Sequence, residues 1–346
     1  MRNSKAFFRG CLLGGAVGDA LGFPVEFLTR DEIRDVYGNE GIRTLVCEKE
    51  TGKALVSDDT QTAVFTTDGL LWADKQAKKK GIYAYTLCIF YAYQKWLYTQ
   101  TGSFAEKKYE FLLHGEVLKW EELFARRTPG EAILQALSGS INGKFGTMKN
   151  PINNSKGYNG VARVAPVGLY FYSNPKMSFQ IGCESAAITH GHPTAYLTAG
   201  FFSLLISMII CGESLEDAIN QSLNVLKRHK YSDEAVKAIR QAVELAGSQM
   251  PPDEAIPQMG EGWVAEEAMA IALYCALKHP DNFEDALFLA VNQDGNSNGT
   301  GAICGNILGA ILGSLEIPYH WIQIVELGEL LATGADRLLI AATELI

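Results

Sequence analysis

The chain has little of what marks several common protein classes. It has no CxxC pair: its seven cysteines (Cys11, Cys47, Cys88, Cys183, Cys211, Cys275 and Cys304) are scattered, odd in number and mostly set in apolar runs. A zinc knuckle or a disulfide scaffold needs closer, paired spacing, so these read as buried free thiols in a reducing, cytoplasmic compartment. It has no excess of positive charge: 30 Lys and Arg against 39 Asp and Glu leave a net charge of −9. A protein that neutralises phosphates along a nucleic acid would be basic, so no nucleic-acid partner is expected. No apolar run reaches the roughly 20 residues that cross a bilayer. The very apolar stretch from Ala199 to Cys211 reads as a buried helix, and the run after Arg9 is short and broken by Asp19, which argues against an export signal and a membrane partner. Alternating strand patterns are rare, with Gly41 to Val46 the best candidate. No period of 20–50 residues points to a solenoid. Serine-hydrolase chemistry is not expected.

What is present is a long chain with a helical rhythm. Its 346 residues are 47% apolar and 20% charged, which suits a large core. Residues 117–124, 216–223 and 266–273 each place apolar side chains three and four apart. Thr128-Pro129-Gly130-Glu131 and Ser214-Leu215-Glu216-Asp217 carry the cap-then-acid signature of a helix start. Loops are expected at Tyr37–Ser57, Gly139–Asn159, Ser248–Gly262 and Gln293–Gly299. The second is long and polar, the kind that is functional or mobile inside a compact domain. The Lys-rich run at 75–80 reads as a solvated helix end. Gly14, Gly18 and Gly22 are spaced by four, as are Gly301, Gly305, Gly309 and Gly313. Glycine costs about 1 kcal/mol relative to alanine inside a helix, so such rows imply close backbone packing. If the two rows meet, they join the start and end of the chain. The reading is one all-α domain over residues 1–346, with one short hairpin at most.

Ser57-Asp58-Asp59-Thr60 stands where a loop feeds an apolar helix. Two adjacent carboxylates flanked by hydroxyls make a dense set of hard oxygen ligands, and a cation would relieve their repulsion. An ordinary helix cap would use the same residues without a metal.

Five ordered segments carry a more specific signal: 14–27 (Gly-Gly-Ala-Val-Gly-Asp-Ala-Leu-Gly-Phe-Pro-Val-Glu-Phe), 57–61 (Ser-Asp-Asp-Thr-Gln), 157–168 (Gly-Tyr-Asn-Gly-Val-Ala-Arg-Val-Ala-Pro-Val-Gly), 189–193 (Thr-His-Gly-His-Pro) and 291–310, which opens Val-Asn-Gln-Asp-Gly-Asn-Ser-Asn-Gly-Thr-Gly. Together they resemble the ADP-ribosylglycohydrolase family, from about Ala6 to Leu315. The resemblance implies a compact, single-domain all-α fold with a metal-centred cleft, and a magnesium-dependent hydrolase that removes ADP-ribose from a protein side chain, most commonly arginine. It implies catalytic roles for Glu26, Asp58 and Asp59. It implies metal ligation by Ser57, Asp58, Asp59, Asn296 and Asn298, and substrate contacts by Asn159, Gly160, Arg163, His190, Gly295 and Ser297. Asp19 would brace the site, and Ala162 stands where the family usually has Met. His190 and His192 belong to a helix-linking segment and are read as structural before catalytic. The chemistry is coherent: C–N cleavage at ribose passes through an oxocarbenium-like state that carboxylates stabilise.

The fifth segment departs from the family text. Where that text is Gly-Asp-Ser-Asp-(Ser/Thr)-Thr-Gly, this chain has Gly295-Asn296-Ser297-Asn298-Gly299-Thr300-Gly301. Two carboxylates have become amides and a hydroxyl is gone, so one tightly held Mg2+ is expected, not two. Asp294 with Asn296, Asn298 and Gly299 also imitates the start of an EF-hand loop, but position twelve is Gly305 instead of Glu. Two functions follow. One is a hydrolase with a weakened metal site. The other is a degenerate relative that binds ADP-ribose or an ADP-ribosylated protein, or an ADP-ribosyltransferase as an immunity protein, without turnover. Substitution by design, to trap substrate, is a third origin for the amides; the missing hydroxyl at Gly299 argues against it.

Overall fold

The computed structural model describes residues 1–345. Those residues form α-helices and short 3-10 turns, with no strand among them. The helices are α1 (Lys5–Gly22), α2 (Arg30–Tyr37), α3 (Asp58–Lys80), α4 (Tyr85–Thr101), α5 (Glu131–Ser138), α6 (Asn159–Ala162), α7 (Ala165–Tyr170), α8 (Pro175–Ala187), α9 (Pro193–Cys211), α10 (Leu215–Leu226), α11 (Asp233–Gly247), α12 (Pro252–Ala255), α13 (Ala265–Lys278), α14 (Phe283–Val291), α15 (Ser297–Leu312), α16 (Tyr319–Ile324) and α17 (Gly328–Thr343).

The two glycine rows do meet. A Cβ added at Gly14 or Gly18 would fall within 3.0 Å of the carbonyl of Gly305 or Gly301, and the reverse additions clash equally. The α1 and α15 backbones therefore touch, joining the two ends of the chain. Gly10 opposes Gly309 and extends the row by a turn, whereas Gly313 ends α15 with φ +87° and faces Phe7. Asn306 crosses the seam and donates to the Cys11 carbonyl at 2.7 Å. The apolar run that begins at Ala199 lies in α9, buried among α7, α8, α10 and α13. α9 and Lys5–Val25 are long and apolar enough to cross a bilayer, but most of each lies inside the fold. Their composition follows from central packing on all sides.

Caps and stops explain several helix ends. Ser214 accepts the Asp217 N–H at 3.1 Å, as its signature predicts. The Lys-rich run ends α3, where cations suit the helix dipole, and Gly81 closes it in the left-handed region. Three expectations fail. Gly41–Val46 is not a strand: Ile42 N–H and C=O both pair with the Asn292 side chain, leaving no ladder to form. The extended contacts there reduce to isolated bridges from Ala54 to Cys47 and Val325. Residues 117–124 form two 3-10 turns, broken where Trp120 turns extended. Thr128 does not cap α5, whose N-cap is Gly130; its backbone sits at φ +46° and its hydroxyl points elsewhere. The 139–159 loop is irregular up to α6 and tied down by Asn153, which bonds Ser155, Thr189 and Gly191.

Candidate active site

The starts of α3 and α15 and the short α6 converge beside α1. Ser57 caps α3, accepting the Asp59 N–H at 3.1 Å, so the cap reading of the Ser-Asp-Asp segment is correct as geometry. It does not exhaust the segment, because Asp58 and Asp59 are buried in the first turn with no basic side chain bonded to them. Asp19 staples α1 to this turn. Its carboxylate accepts from Ser57 N–H (3.0 Å), Thr60 N–H (3.2 Å) and the Thr60 hydroxyl. That is the bracing role expected for it.

Asn159 is the polar centre of the cluster. Its Nδ2 donates to Asp58 Oδ2 at 3.2 Å and Asp59 Oδ1 at 2.8 Å. Arg163 aims it: one guanidinium nitrogen donates to Asn159 Oδ1 (3.0 Å), another to Ser185 O (3.1 Å) and Thr189 Oγ1 (2.6 Å), while the plane lies over the Tyr93 ring. Arg163 is fully buried, so the structure makes it a strut behind Asn159 and gives it no ligand-facing surface. His190 lies in the same supporting layer, against Gly157 and Gly160, with Nδ1 on Thr189 Oγ1. Burial, with Arg163 nearby, depresses its pKa to about 3, which keeps it neutral. Gly160 leaves room for Ala186 and His190. His192 caps α9.

Four carboxylates share this space. Burial raises all of them. It lifts Asp19 to about 6, and Glu26, with help from the Asp19 charge, to about 7. Asp58 and Asp59 are raised by burial first and by neighbouring carboxylates second. The loop before α5 closes over them: Thr128 Oγ1 donates to Glu26 at 3.3 Å, and the Arg127 carbonyl accepts the Asp58 N–H. Thr128 was legible only as a cap. Its left-handed backbone is what turns its hydroxyl toward Glu26.

The α15 segment divides. Asn296 is spent on structure: Oδ1 caps the helix on Gly299 N–H (3.1 Å) and Nδ2 donates to Gly262 O (2.8 Å). Its oxygen is thus engaged as a cap, as Ser57 Oγ is at α3, and keeps one lone pair. Asn298 is fully buried, yet neither its amide oxygen nor its nitrogen has a partner, and Asp59 Oδ2 is equally alone. An unpaired buried polar group costs about 1–3 kcal/mol, so these atoms point to a ligand. Asp294 turns outward to the Arg30 N–H at 2.8 Å, and Gly305 packs in the glycine seam, which removes the EF-hand reading. Gly295 holds φ +109° against Glu261. Residues 295–299 also spell Gly-x-Ser-x-Gly, a spacing that the expectation of no serine-hydrolase chemistry passes over. Ser297 is buried, no strand precedes it, and its hydroxyl faces Gly295 O at 3.5 Å, so it is no nucleophile elbow. The residue that sequence reasoning missed is Tyr158, which packs over Gly299 and lies against Asp59, although it directly precedes Asn159 in the third segment.

An all-helical frame thus gathers four buried carboxylates around the start of α3. The ADP-ribosylglycohydrolase family profile matches residues 2–345, and the chain belongs to that family. It is 27% identical to an uncharacterized protein of Archaeoglobus fulgidus, covering 96% of this chain and 95% of that one. It is 22% identical to ADP-ribosylarginine hydrolase Tri1 of Pseudomonas putida (92% and 73% covered). It is 25% identical to ADP-ribosyl-[dinitrogen reductase] glycohydrolase of Rhodospirillum rubrum (92% and 90% covered). A solved ADP-ribosylglycohydrolase-related protein complex superposes with a TM-score of 0.65 at 22% identity, covering 99% of this chain, which supports the fold.

Proposed function

We propose that this protein hydrolyses the bond between ADP-ribose and a modified arginine of a protein, with one Mg2+ held at the start of α3. The observation that carries this is the buried Asp58–Asp59 pair, set among Asp19 and Glu26 with no basic side chain bonded to it, together with the unpartnered Asp59 Oδ2 and Asn298 amide. Among the described residues no three His, Cys, Asp or Glu side chains group to hold a metal by themselves. The donors that fit one ion are therefore Asp58, Asp59, Ser57 Oγ and the Asn298 carbonyl, completed by water, as suits magnesium. When bound, such an ion supplies positive charge and acidifies a water it holds.

The chain's own groups do the rest. Glu26, held near pH 7 and steadied by Thr128, accepts a proton from the attacking water or returns one to the departing group. Asp58 and Asp59 favour the positive charge that develops on ribose. Asn159, aimed by Arg163, fixes their rotamers, and Asp19 fixes the turn that carries them. Next to Glu26, Phe27 stacks flat on Trp263 (centroids 5.7 Å, 13° apart) and remains 68% exposed. The Trp263 carbonyl accepts the Tyr158 N–H, which puts this aromatic face beside the site. A guanidinium packs well on such a face, which supports arginine as the modified residue. The relative named ADP-ribosylarginine hydrolase points the same way.

The test is release of free ADP-ribose from an ADP-ribosylarginine protein. Release that rises with Mg2+ and disappears in Asp58→Ala/Asp59→Ala is expected. The amides at 296 and 298 favour one rival, a protein that binds the modified ligand, or blocks a transferase, without turnover. Calorimetric binding of ADP-ribose with no release would select that rival.

A further inference from the structure

Tyr158 divides the space between the two helix starts. Its ring lies where a side chain at 299 would project: a Cβ added at Gly299 would meet ring carbons of Tyr158 inside 3.0 Å. The residue is half-buried and sits immediately before Asn159, so the group that bridges Asp58 and Asp59 also fixes where the tyrosine stands. On the α15 side the remaining donors are poor. Asn296 Oδ1 is already engaged as a cap, Asn298 carries no charge, and position 299 offers no side-chain atom.

We propose that Tyr158, seated in the gap left by Gly299, limits this site to a single divalent cation. This rests on the metal reading above and adds what sets the stoichiometry. One divalent ion balances the charge of Asp58 and Asp59. A second would need oxygen ligands from the α15 side, in the space that the tyrosine ring fills. The missing side chain at 299 and the aromatic one at 158 are then two halves of one feature, since a larger residue at 299 would clash with the tyrosine ring where it now stands. Substitution of the Asn residues alone does not open the second position.

The test titrates Mn2+ by electron paramagnetic resonance on the full chain, as wild type, Asn298→Asp and Asn298→Asp/Tyr158→Gly. One ion per chain in the first two and two in the third is expected. Two ions in either of the first, or one in the third, overturns the inference. No ion in any variant overturns the metal reading and the inference with it. The steric half has its own readout in thermal melting without metal. Gly299→Ser lowers Tm by several degrees, and adding Tyr158→Gly recovers most of that loss. An equal loss with and without Tyr158 would show that the ring is not what occupies the gap.

Discussion

Replacing Glu26 by Gln in metal-free protein tests the electrostatics of the cluster most directly. Burial and the Asp19 charge lift the Glu26 carboxyl from 4.5 to about 7 in the folded state. A carboxyl whose folded pKa is raised favours the folded state only while it is protonated, so that stability is present at low pH and is lost as pH rises from the unfolded value through the folded one. Between pH 5 and pH 8 the loss assigned to Glu26 is about 2.5 kcal/mol, at about 1.4 kcal/mol for each tenfold change in proton affinity. Asp19, lifted to about 6, acts in the same sense. His190 acts in the opposite sense: its folded pKa is depressed to about 3, so its contribution falls away as pH drops below its ordinary value. Wild-type melting alone therefore mixes both signs, and the difference between wild type and Glu26→Gln removes the His190 contribution and reads Glu26 together with its push on Asp58 and Asp59, which has the same sign. For a 346-residue chain the unfolding entropy is on the order of 0.7 kcal/mol/K, so the variant's Tm should gain about 3–4 °C on wild type between pH 5 and pH 8 in EDTA. Saturating Mg2+ at pH 8 should close that gap, because a cation compensates the ionised carboxylates. Scanning calorimetry at four pH values with and without Mg2+ measures all of it. Parallel curves for the two proteins in EDTA would refute the reasoning.

Three further outcomes follow from the same geometry. Asn159→Ala removes the amide that orients both aspartates and should lower turnover about 100-fold, the scale of a small misplacement of reacting groups, with far-ultraviolet circular dichroism unchanged. Gly305→Ala places a methyl against the Gly14 carbonyl, with rigid backbone on both sides, and should cost about 3 kcal/mol of stability, read as a Tm lower by about 4 °C. Phe27→Ala removes the exposed aromatic face and should raise KM for an ADP-ribosylarginine substrate about fivefold with little change in kcat, the size of a surface cation–π contact of about 1 kcal/mol.

Residue type and spacing reveal some features of this protein and hide others, and the division has a physical basis. The glycine seam was legible because a row of residues unfavourable in a helix has few explanations, and spacing by four places them on one face. The acidic turn was legible through its place among five ordered segments, since adjacent carboxylates also open α2, α10, α11, α13 and α14. What could not be read was how each polar group spends its hydrogen bonds. Asn296 and Asn298 are the same residue type two positions apart, yet one spends its amide on a cap and on Gly262, and the other is buried without a partner. Arg163 looked like a substrate contact because the family resemblance places its segment in the cleft, but full burial makes it the strut that aims Asn159. Ile42 sat in an alternating run and failed as a strand because one asparagine, 250 residues away, takes both of its backbone groups. The pairing of Tyr158 with Gly299 is of the same kind. Each is unremarkable alone, and their meaning appears only when the fold sets a ring against a missing side chain. A departure from a family pattern at 296–299 therefore does not imply a decayed site. On the proposal made above, three changes read together with Tyr158 fit a rebuilt one, with fewer charges to balance and a side chain where a second ion would stand.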